Sequence, residues 1–579
     1  MLAKLRPFVK PRVLRAALLL SAACVGAVGC LVVSPLEELP AAAGKGGKSA
    51  GGMNAAGTAS GASSLGGAAA GEAGEAVSAG MTGQGSQECL TNAECQRKNA
   101  SEPYRCRPSD HTCVALKSEA CPLAYGDAAN PDAIYFGAFA TLNPSALEDN
   151  SIIWSHLLAL DELSGDKVGG LPDGANGMRR PLVMVVCDNT DEYVEPALSH
   201  LIEDVQVPAV LATLKPGDLR RSYDAYHTKH DVFYLSPVSV TSTVATAPDK
   251  DLVWSLLGQP SDMAPTYAAL LKLAEKRLRK DRDLQPADKL KVALVTTTDA
   301  FDTDLYEAVE PLLRFNDDQL ALDNSPDNYL PIKLDSAHPE LDTNAQIIAD
   351  FGPDVILSAA SELFSMDGGL LQKIEEEWGG AQATKALPFY VLSPYNAGDL
   401  NRIILLMNDA IEFTGEADPQ LRFVGVSVAG SRDATLQNKY ALRLRGMFKK
   451  ANFDTANYYD ATYFLAYAMY GAGTETELRG STIAQGMHRL LSGTSYDVGP
   501  NNIDTTFKAL SNAGSSIHLA STLGPPDFDA ETGVRAVDGS VLCFEKVGLT
   551  VQLRTDVLRY DRDAGKLTGS FPCFSNFYP

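Results

Sequence analysis

Two hydrophobic patterns alternate along the chain from residue 132 to about residue 430. Short continuous apolar runs are typical of strands buried on both faces of a parallel sheet, and apolar residues at every third or fourth position are typical of helices packed on one side. The runs predict strands at Ala133–Phe139, Pro181–Cys187, Val207–Leu211, Val232–Leu235, Lys291–Thr296, Asp354–Ser358, Phe389–Leu392 and Phe423–Ser427. Helical spacing is found in Ser151–Leu163, Val194–Val205, Thr266–Arg279 and about 302–313. This order predicts an α/β fold with parallel sheets flanked by helices, and two sheets rather than one.

The first 86 residues carry no such pattern. Five basic residues precede an apolar stretch at Ala16–Gly29, which ends in the sequence Ala27-Val28-Gly29-Cys30. These small residues before a cysteine resemble the lipobox of bacterial lipoproteins, which implies a signal peptide at 1–29 and a lipid on Cys30. An ordinary signal peptide with a chance cysteine is the alternative. Leu31, in place of an aspartate, favours the outer membrane. Gly, Ala and Ser dominate Ala41–Ser86, so 30–86 is expected to be a flexible linker.

Composition and charge narrow the function classes. The chain has 579 residues, 45% of them hydrophobic, and a formal net charge of −23. A chain of this length exceeds a single core, so several domains are expected. Binding a nucleic-acid backbone requires clustered Lys and Arg, so no nucleic-acid partner is expected. Beyond the N-terminal stretch no apolar run is long enough to span a bilayer, so a membrane anchor is expected without a crossing.

The cysteines predict disulfides. Cys24 lies in the apolar N-terminal stretch and Cys30 in the lipobox, which leaves an even number of others, as is typical of an exported protein. The eight are Cys89, Cys95, Cys106, Cys113, Cys121, Cys187, Cys543 and Cys573. Segment 87–122 is too polar for a core of its own, so it is expected to be a disulfide-stabilised module. We expect two bridges within Cys89–Cys113, one between Cys121 and Cys187, and one between Cys543 and Cys573, although spacing does not determine pairing. A zinc site is the alternative, but the tight C-x2-C spacing is missing, so no metal is expected.

In one stretch a predicted strand ends, and small hydroxyl residues follow shortly after its end. The run at Asp231–Leu235 stops at Ser236-Pro237, because proline cannot donate to a sheet ladder. Ser239 and Thr241 follow shortly after. In open α/β sheets, ligands bind just beyond the carboxyl ends of the strands. This stretch therefore predicts one wall of a small-molecule site.

The order of these pieces resembles the type I periplasmic binding proteins, in the family of branched-chain amino-acid receptors of ABC importers. The matching pieces are Phe136–Thr141, Val183–Asn189, Val207–Thr213, Tyr234–Ser242, Lys291–Asp299, Asn457–Met469 and Asp527–Gly533. The resemblance covers about 131–550. It implies two Rossmann-like lobes with a hinged cleft, lobe 1 at 131–289 and 431–519 and lobe 2 at 290–430 and 520–579.

The resemblance also implies a small solute in the cleft, namely an amino acid, an amide or a related carboxylate. The residues at the matching positions are Thr141, Thr213, Ser239, Thr241, Asp299 and Tyr395. The hydroxyl residues are expected to hold a carboxylate, with Thr141 at the cleft mouth, while Asp299 faces an ammonium and Tyr395 packs on the ligand. The alternatives are structural: hydroxyl residues that cap helices or form turns, an Asp299 that caps the following helix, and a Tyr395 at a surface turn.

The chain departs from the family at several positions. Phe301-Asp302 stands where the family has Tyr-Gly, and Ser427 falls near a position where members can carry an acid. Insertions occur at Ser164–Arg180 and Asn316–Asp335. An altered amine pocket leaves the expected fold intact but puts amino-acid specificity in doubt.

No catalytic motif is found. The sequence lacks H-E-x-x-H, G-x-S-x-G and a P-loop, and His227 and His230 have no further ligands at metal-binding spacing. We therefore expect no enzyme and no cofactor. The expected function is to capture a solute in the cell envelope, at the periplasmic or cell surface, for an ABC permease. The alternative is a ligand-sensing surface receptor without a transporter, which the long linker and the Cys-rich module favour.

Cys30→Ser tests the expected anchor, because the serine hydroxyl cannot replace the thiol that receives the lipid. We expect the variant to leave the membrane fraction, as measured by immunoblotting of membrane and soluble fractions. Cys24→Ser is the matched control and is expected to stay in the membrane fraction. Membrane retention of the Cys30→Ser protein would contradict lipidation at that residue.

Overall fold

The computed structural model describes residues 88–570 and Cys573, apart from short gaps. The gaps are 100, 144–146, 148–149, 174–177, 362–363, 365, 367, 380–385, 398–402, 406, 408–417, 452–453, 474–476, 513 and 548–549. The predicted signal peptide, Cys30 and the linker up to residue 86 lie outside the described residues. Within the described part, no helix has both the length and the apolar character needed to cross a membrane.

The first sheet has six strands between residues 123 and 255. They are β1 Leu123–Tyr125, β2 Ile134–Ala140, β3 Leu182–Asp188, β4 Ala209–Leu211, β5 Phe233–Ser236 and β6 Val253–Ser255. The order across the sheet is β6-β5-β4-β2-β3-β1, and only β1 runs antiparallel to its neighbour. An apolar core covers each face, as the continuous apolar runs predict.

The second sheet has eight strands. They are β7 Val292–Thr297, β8 Tyr329–Leu334, β9 Val355–Ser358, β10 Phe389–Leu392, β11 Phe423–Val428, β12 Gly539–Val547, β13 Thr550–Asp561 and β14 Lys566–Gly569. The order is β8-β7-β9-β10-β11-β12-β13-β14. The strands from β8 to β11 are parallel, and β12 to β14 continue the sheet in antiparallel fashion. Two further apolar cores cover this sheet.

Helices cover both sheets. After the Cys-rich module they are Ser151–Ser164, Val194–Ser199, Pro216–Ser222, Thr228–His230, Ser242–Ala245, Pro260–Asp281, Ala300–Val309, Leu341–Phe351, Leu370–Gly379, Pro394–Ala397, Thr435–Met447, Ala456–Gly471, Gly480–His488 and Ile503–Leu510. Short strand pairs join Leu171–Pro172 to Arg179–Arg180, Arg314–Phe315 to Gln319–Leu320, and Thr494–Asp497 to Ile517–Ala520. The aromatic helix Ala456–Gly471 is buried along its whole length and packs in a core of the first sheet.

We call lobe 1 the six-stranded sheet with the helices in its cores, and lobe 2 the eight-stranded sheet with the helices in its cores. Helix Pro260–Asp281 packs in a core of lobe 2, through residues such as Tyr267 and Leu271. The boundary predicted at residue 289 lies after this helix, so the structure corrects it to a point before residue 260. The reason is physical: an apolar helix face fits either sheet, and sequence periodicity does not say which one it covers. The other predicted boundaries stay predictions.

Strands β6 and β8 were missed by the sequence patterns, because both are edge strands. In β8 buried and exposed residues alternate for part of its length, and it lies in the stretch Asn316–Asp335 that was interpreted as an insertion. Strand β6 has only three residues. Strands β12 to β14 follow one another without helices between them, so the strand–helix alternation did not predict them either.

The predicted disulfide pattern is confirmed. The four bonds join Cys89 to Cys106, Cys95 to Cys113, Cys121 to Cys187, and Cys543 to Cys573. The first two hold helix Asn92–Lys98 against the hairpin of Tyr104–Cys106 and Cys113–Ala115. The sulfurs of Cys89, Cys95 and Cys106 lie close together, but disulfides use all three, so this group is not a metal site.

Removing the Cys121–Cys187 bond by serine substitution of both residues is expected to destabilise the protein. The bond spans 66 residues and joins the end of the Cys-rich module to β3. Losing a bond of this kind lowers the free energy of unfolding by about 2–5 kcal/mol, because the unfolded chain gains freedom. Urea unfolding followed by circular dichroism measures the change.

The matched control removes Cys89–Cys106, which spans only 17 residues. Loop-closure entropy predicts a loss smaller by about 1 kcal/mol for this shorter loop. A free energy of unfolding that is unchanged without Cys121–Cys187 would contradict a stabilising role for that bond.

Candidate ligand-binding cleft

The carboxyl ends of β2, β3 and β4 are joined by one hydrogen-bonded group. Thr141 Oγ1 donates to Asn189 Oδ1 at 2.8 Å, and Asn189 Nδ2 donates to Thr213 O at 2.8 Å. Each of these residues follows its strand by one or two positions, so parallel strands bring all three to one edge of the sheet. Asn189 was not singled out by the sequence, although its place directly after β3 is the same signal that identified Thr141.

Ser239 is used to hold the turn after β5. Its Oγ donates to Leu257 O at 2.8 Å, and the Oγ atoms of Ser236 and Ser255 both donate to Val238 O. The single hydroxyl proton of Ser239 is therefore engaged by the protein. This geometry favours the structural alternative for the side chain of Ser239 and leaves its backbone N–H as the group that can face a ligand.

Thr241 lies at the start of helix Ser242–Ala245 and is buried. Its Oγ1 is 3.0 Å from Thr243 Oγ1. The backbone N–H groups of Ser239 and Thr241 donate to no acceptor among the described residues. Unpaired N–H groups next to a hydroxyl are suited to an anion, since charge-assisted hydrogen bonds to backbone N–H are strong.

Helix Ala456–Gly471 completes the wall of lobe 1. Asn457 Nδ2 donates to Pro237 O at 2.8 Å and so ties this helix to the Ser-Pro turn. The Tyr458 hydroxyl lies beside the hydroxyl of Thr213, and burial raises the pKa of Tyr458, so this phenol stays neutral at physiological pH. Tyr458 was missed because the sequence indicated only that its helix is apolar.

The wall of lobe 2 is organised by the buried carboxylate of Asp302. Its Oδ2 accepts from Thr297 Oγ1 at 2.6 Å and from Ser361 N at 2.7 Å. Thr297 ends β7 and Ser361 follows β9, so Asp302 joins the ends of two neighbouring strands. Burial is the main cause that raises the pKa of Asp302, to about 6. Asp302, at which the chain departs from the family, therefore holds the wall of lobe 2 together.

Asp299 and Tyr395 lie on this wall and are both exposed. Asp299 begins helix Ala300–Val309, but its carboxylate makes no capping hydrogen bond; instead it accepts from Ser361 Oγ at 3.4 Å. The pKa of Lys215 in lobe 1 is raised, first by its hydrogen bond to Asp191 and in part by the charge of Asp299. The Tyr395 ring stands edge-on to Phe301, with 5.1 Å between the ring centroids.

One polar contact joins the two walls directly. Ser242 N donates to Asp304 Oδ2 at 2.9 Å, and Ser242 Oγ donates to Asp304 Oδ1. Ser242 follows Thr241 in lobe 1, whereas Asp304 lies in helix Ala300–Val309 of lobe 2. Helix Pro216–Ser222 of lobe 1 also lies next to that helix. The two lobes are therefore in contact at this edge of the cleft.

Solved structures of similar fold are ABC-transporter binding proteins. The chain is similar to a solute-binding protein from R. palustris in complex with 4-hydroxybenzoate, with a TM-score of 0.50 and 12% identity over 77% of this chain and 99% of that one. It is also similar to a leucine-binding protein from Thermotoga maritima, with a TM-score of 0.48 and 12% identity over 74% and 99% of the two chains. A substrate-binding protein from Desulfitobacterium hafniense in complex with Leu has a TM-score of 0.46 and 15% identity over 73% and 99%.

The chain therefore has the two-lobed α/β fold of the type I periplasmic binding proteins. The expected fold is therefore confirmed. No protein-family model matches the chain, and no curated protein sequence matches it significantly.

Asp302→Asn is expected to change how stability depends on pH. The folded-state pKa of Asp302 is about 6, above the value of about 3.9 for a free aspartate. The protonated carboxyl of Asp302 therefore contributes to the free energy of unfolding below about pH 4, and this contribution is lost as the pH rises through about 6. Between about pH 4 and 7, the free energy of unfolding should therefore fall by about 1–3 kcal/mol less in the asparagine variant than in wild type.

Urea unfolding at several pH values measures this difference. Asp460 is also buried with a pKa raised to about 6, so part of the wild-type pH dependence should persist in the variant. Asp327→Asn, at an exposed position whose charge is not among the causes of the raised pKa of Asp302, is the control and should follow the wild-type profile. If the stability of Asp302→Asn depends on pH in the same way as that of wild type, Asp302 does not titrate as described.

Proposed function

We propose that the chain is an extracytoplasmic solute-binding protein that holds a small carboxylate between its lobes and delivers it to an ABC importer. One observation carries the proposal: the backbone N–H groups of Ser239 and Thr241, which follow β5 next to β4, donate to no acceptor in the described part of the chain. Anions bind where backbone N–H groups converge in this way. Thr141 and Thr213 are proposed to complete this wall.

The opposite wall is proposed to contact the rest of the solute. Tyr395 supplies an exposed aromatic ring, and Asp299 supplies a carboxylate. The R. palustris protein of similar fold binds 4-hydroxybenzoate, which is itself a small carboxylate with an apolar ring. An aromatic or aliphatic carboxylate suits both walls, because its charged end meets N–H groups and its apolar part meets Tyr395.

Lobe closure follows from the same arrangement. A ligand that contacts both walls binds the closed form more tightly than the open form, and so shifts the population towards closure. The hydrogen bonds between Ser242 and Asp304 are part of that closed form. Closed and open forms present different surfaces, which is how a binding protein is expected to signal its loaded state to a permease.

The proposed location is the cell envelope. Four disulfides are stable in an oxidising compartment and rare in reducing ones. Together with the N-terminal lipobox they favour an exported protein that a lipid on Cys30 holds at the membrane surface, with the outer membrane favoured by Leu31.

A ligand-sensing receptor without a transporter is the second candidate function. The observation that favours it is the Cys-rich module, since the R. palustris protein corresponds to only 77% of this chain. An added module offers a surface for a partner other than a permease. Co-purification from detergent-solubilised membranes separates the two: an inner-membrane permease supports import, and its absence supports sensing.

Thr241→Ala tests the proposed cleft. Wild-type protein is expected to show a higher melting temperature with at least one small carboxylate from a panel that includes 4-hydroxybenzoate and leucine, because a ligand that binds the native state stabilises it. The variant should bind that solute about tenfold more weakly, as expected for the loss of one hydrogen bond to a charged group. Thermal shift finds the solute, and calorimetric titration measures both affinities.

Thr246→Ala is the matched control. Thr246 is exposed next to the same helix, and among the described residues its Oγ1 bonds only to Ser242 O, so its removal should leave affinity unchanged. Equal affinity in Thr241→Ala and wild type would show that the Thr241 hydroxyl does not bind the solute. If no solute in the panel raises the melting temperature, solute binding as the main function is contradicted.

A further inference from the structure

A second cavity lies at the opposite end of lobe 1 from the cleft. It has a volume of about 530 Å³ and opens between the Cys-rich module and lobe 1. Pro131 to Ala133 line it and precede β2, whereas Thr141 of the cleft follows β2. The seven residues of β2 separate the two places by roughly 23 Å at about 3.3 Å per residue. The cavity is therefore distinct from the cleft.

Ionisable side chains from both parts of the chain line this cavity. The module contributes Arg105 and His111, and the edge of lobe 1 contributes Asp132, Asp173 and Arg180. The Arg180 Nε atom donates to the backbone oxygen of Asp132, at 3.2 Å. Within the described part of the chain, neither arginine forms an ion pair with a carboxylate. The cavity thus holds two guanidinium groups that form no ion pair with a described carboxylate, although the carboxylates of Asp132 and Asp173 also line it.

Arg105 is the most constrained of these groups. Its Nη1 donates to Val205 O at 2.5 Å and to Gln206 O at 3.3 Å, and its guanidinium lies 4.3 Å from the ring centroid of Tyr135. The Nε atom is buried and has no hydrogen-bond partner among the described residues. Burial lowers the pKa of Arg105 to about 10, so the side chain still carries its charge at neutral pH.

A structural role explains only part of this geometry. The bonds from Nη1 fasten the module to lobe 1 and the Tyr135 ring partly offsets the positive charge, but the Nε donor has no hydrogen-bond partner among the described residues and no described carboxylate pairs with the guanidinium. A buried cation and a buried donor both cost free energy unless a partner meets them. Buried polar groups without a partner are uncommon, and each calls for an explanation such as a missing ion.

We propose that this cavity is a second binding site, which takes a small organic anion with a carboxylate or phosphate group held by Arg105. Its volume is within the range of about 300–1,000 Å³ that is usual for small-molecule sites. Asp132 and Asp173 accept hydrogen bonds from donor groups elsewhere on the ligand. The Cys-rich module then supplies one wall of a site that lobe 1 alone does not form.

Calorimetric titration of the purified protein with inorganic phosphate and with succinate, at constant ionic strength in chloride, tests the proposal. We expect saturable binding of at least one of them, and a loss of tenfold or more in affinity in Arg105→Gln. Thr241→Ala, in the cleft, should leave this binding unchanged. This last result separates the second site from the proposed function, which predicts the opposite response.

Leu90 provides a test that does not disturb the core. Its side chain lines the cavity and is 68% exposed. Leu90→Glu adds a negative charge at the opening and should weaken anion binding several-fold, whereas Leu90→Gln, of the same shape without the charge, should not. Absence of saturable binding overturns the proposal. So does equal affinity in Leu90→Glu and Leu90→Gln, or binding that is lost in Thr241→Ala.

Discussion

The burial of the central strands on both faces determines where polar chemistry can lie in this protein. Every residue of β2 and β3 is buried, so neither strand leaves room for a ligand along its length. Polar side chains are confined to the ends, where the chain leaves the sheet, and parallel strands put those ends on one edge. The group formed by Thr141, Asn189 and Thr213 is a direct result. The opposite edge is free to contact something else, and there the Cys-rich module lies against lobe 1, with the Arg105 guanidinium over the Tyr135 ring.

Two buried aspartates keep the walls of the cleft rigid. Asp302 joins the ends of β7 and β9 in lobe 2. Asp460, in helix Ala456–Gly471, accepts from both the N–H and the hydroxyl of Thr522, near the point where the chain returns from lobe 1 towards β12. Both carboxylates accept several hydrogen bonds that partly offset the cost of their burial. The proposed closure would then depend on contacts between the lobes, such as the bond from Ser242 to Asp304.

The sequence predicts what depends on local pattern and leaves out what depends on distant partners. Continuous apolar runs identified β2 to β5, β7, and β9 to β11, because strands buried on both faces need such runs. The edge strand β8 and helix Pro260–Asp281 depend on which neighbour they pack against, which periodicity does not contain. For the same reason the hydroxyl residues after strands were recognised as candidates, while Asp304 was not. Its partner Ser242 lies 62 residues away, and nothing in the local sequence connects them.

The surroundings of Asp299 on the lobe 2 wall indicate which type of solute fits the proposed site. An amino-acid ligand needs a carboxylate that faces its ammonium, and Asp299 was the candidate. Its carboxylate already accepts a hydrogen bond from Ser361 and lies in the field of Lys215, which is a cation supplied by the protein itself. A carboxylate with a cationic neighbour is less free to attract a second ammonium, since the two positive charges repel. In the proposed site, the acidic end of a solute would meet unpaired N–H groups on lobe 1. The proposal therefore fits a carboxylate without an amine better than an amino acid, in agreement with the altered Phe301-Asp302 pair next to Asp299.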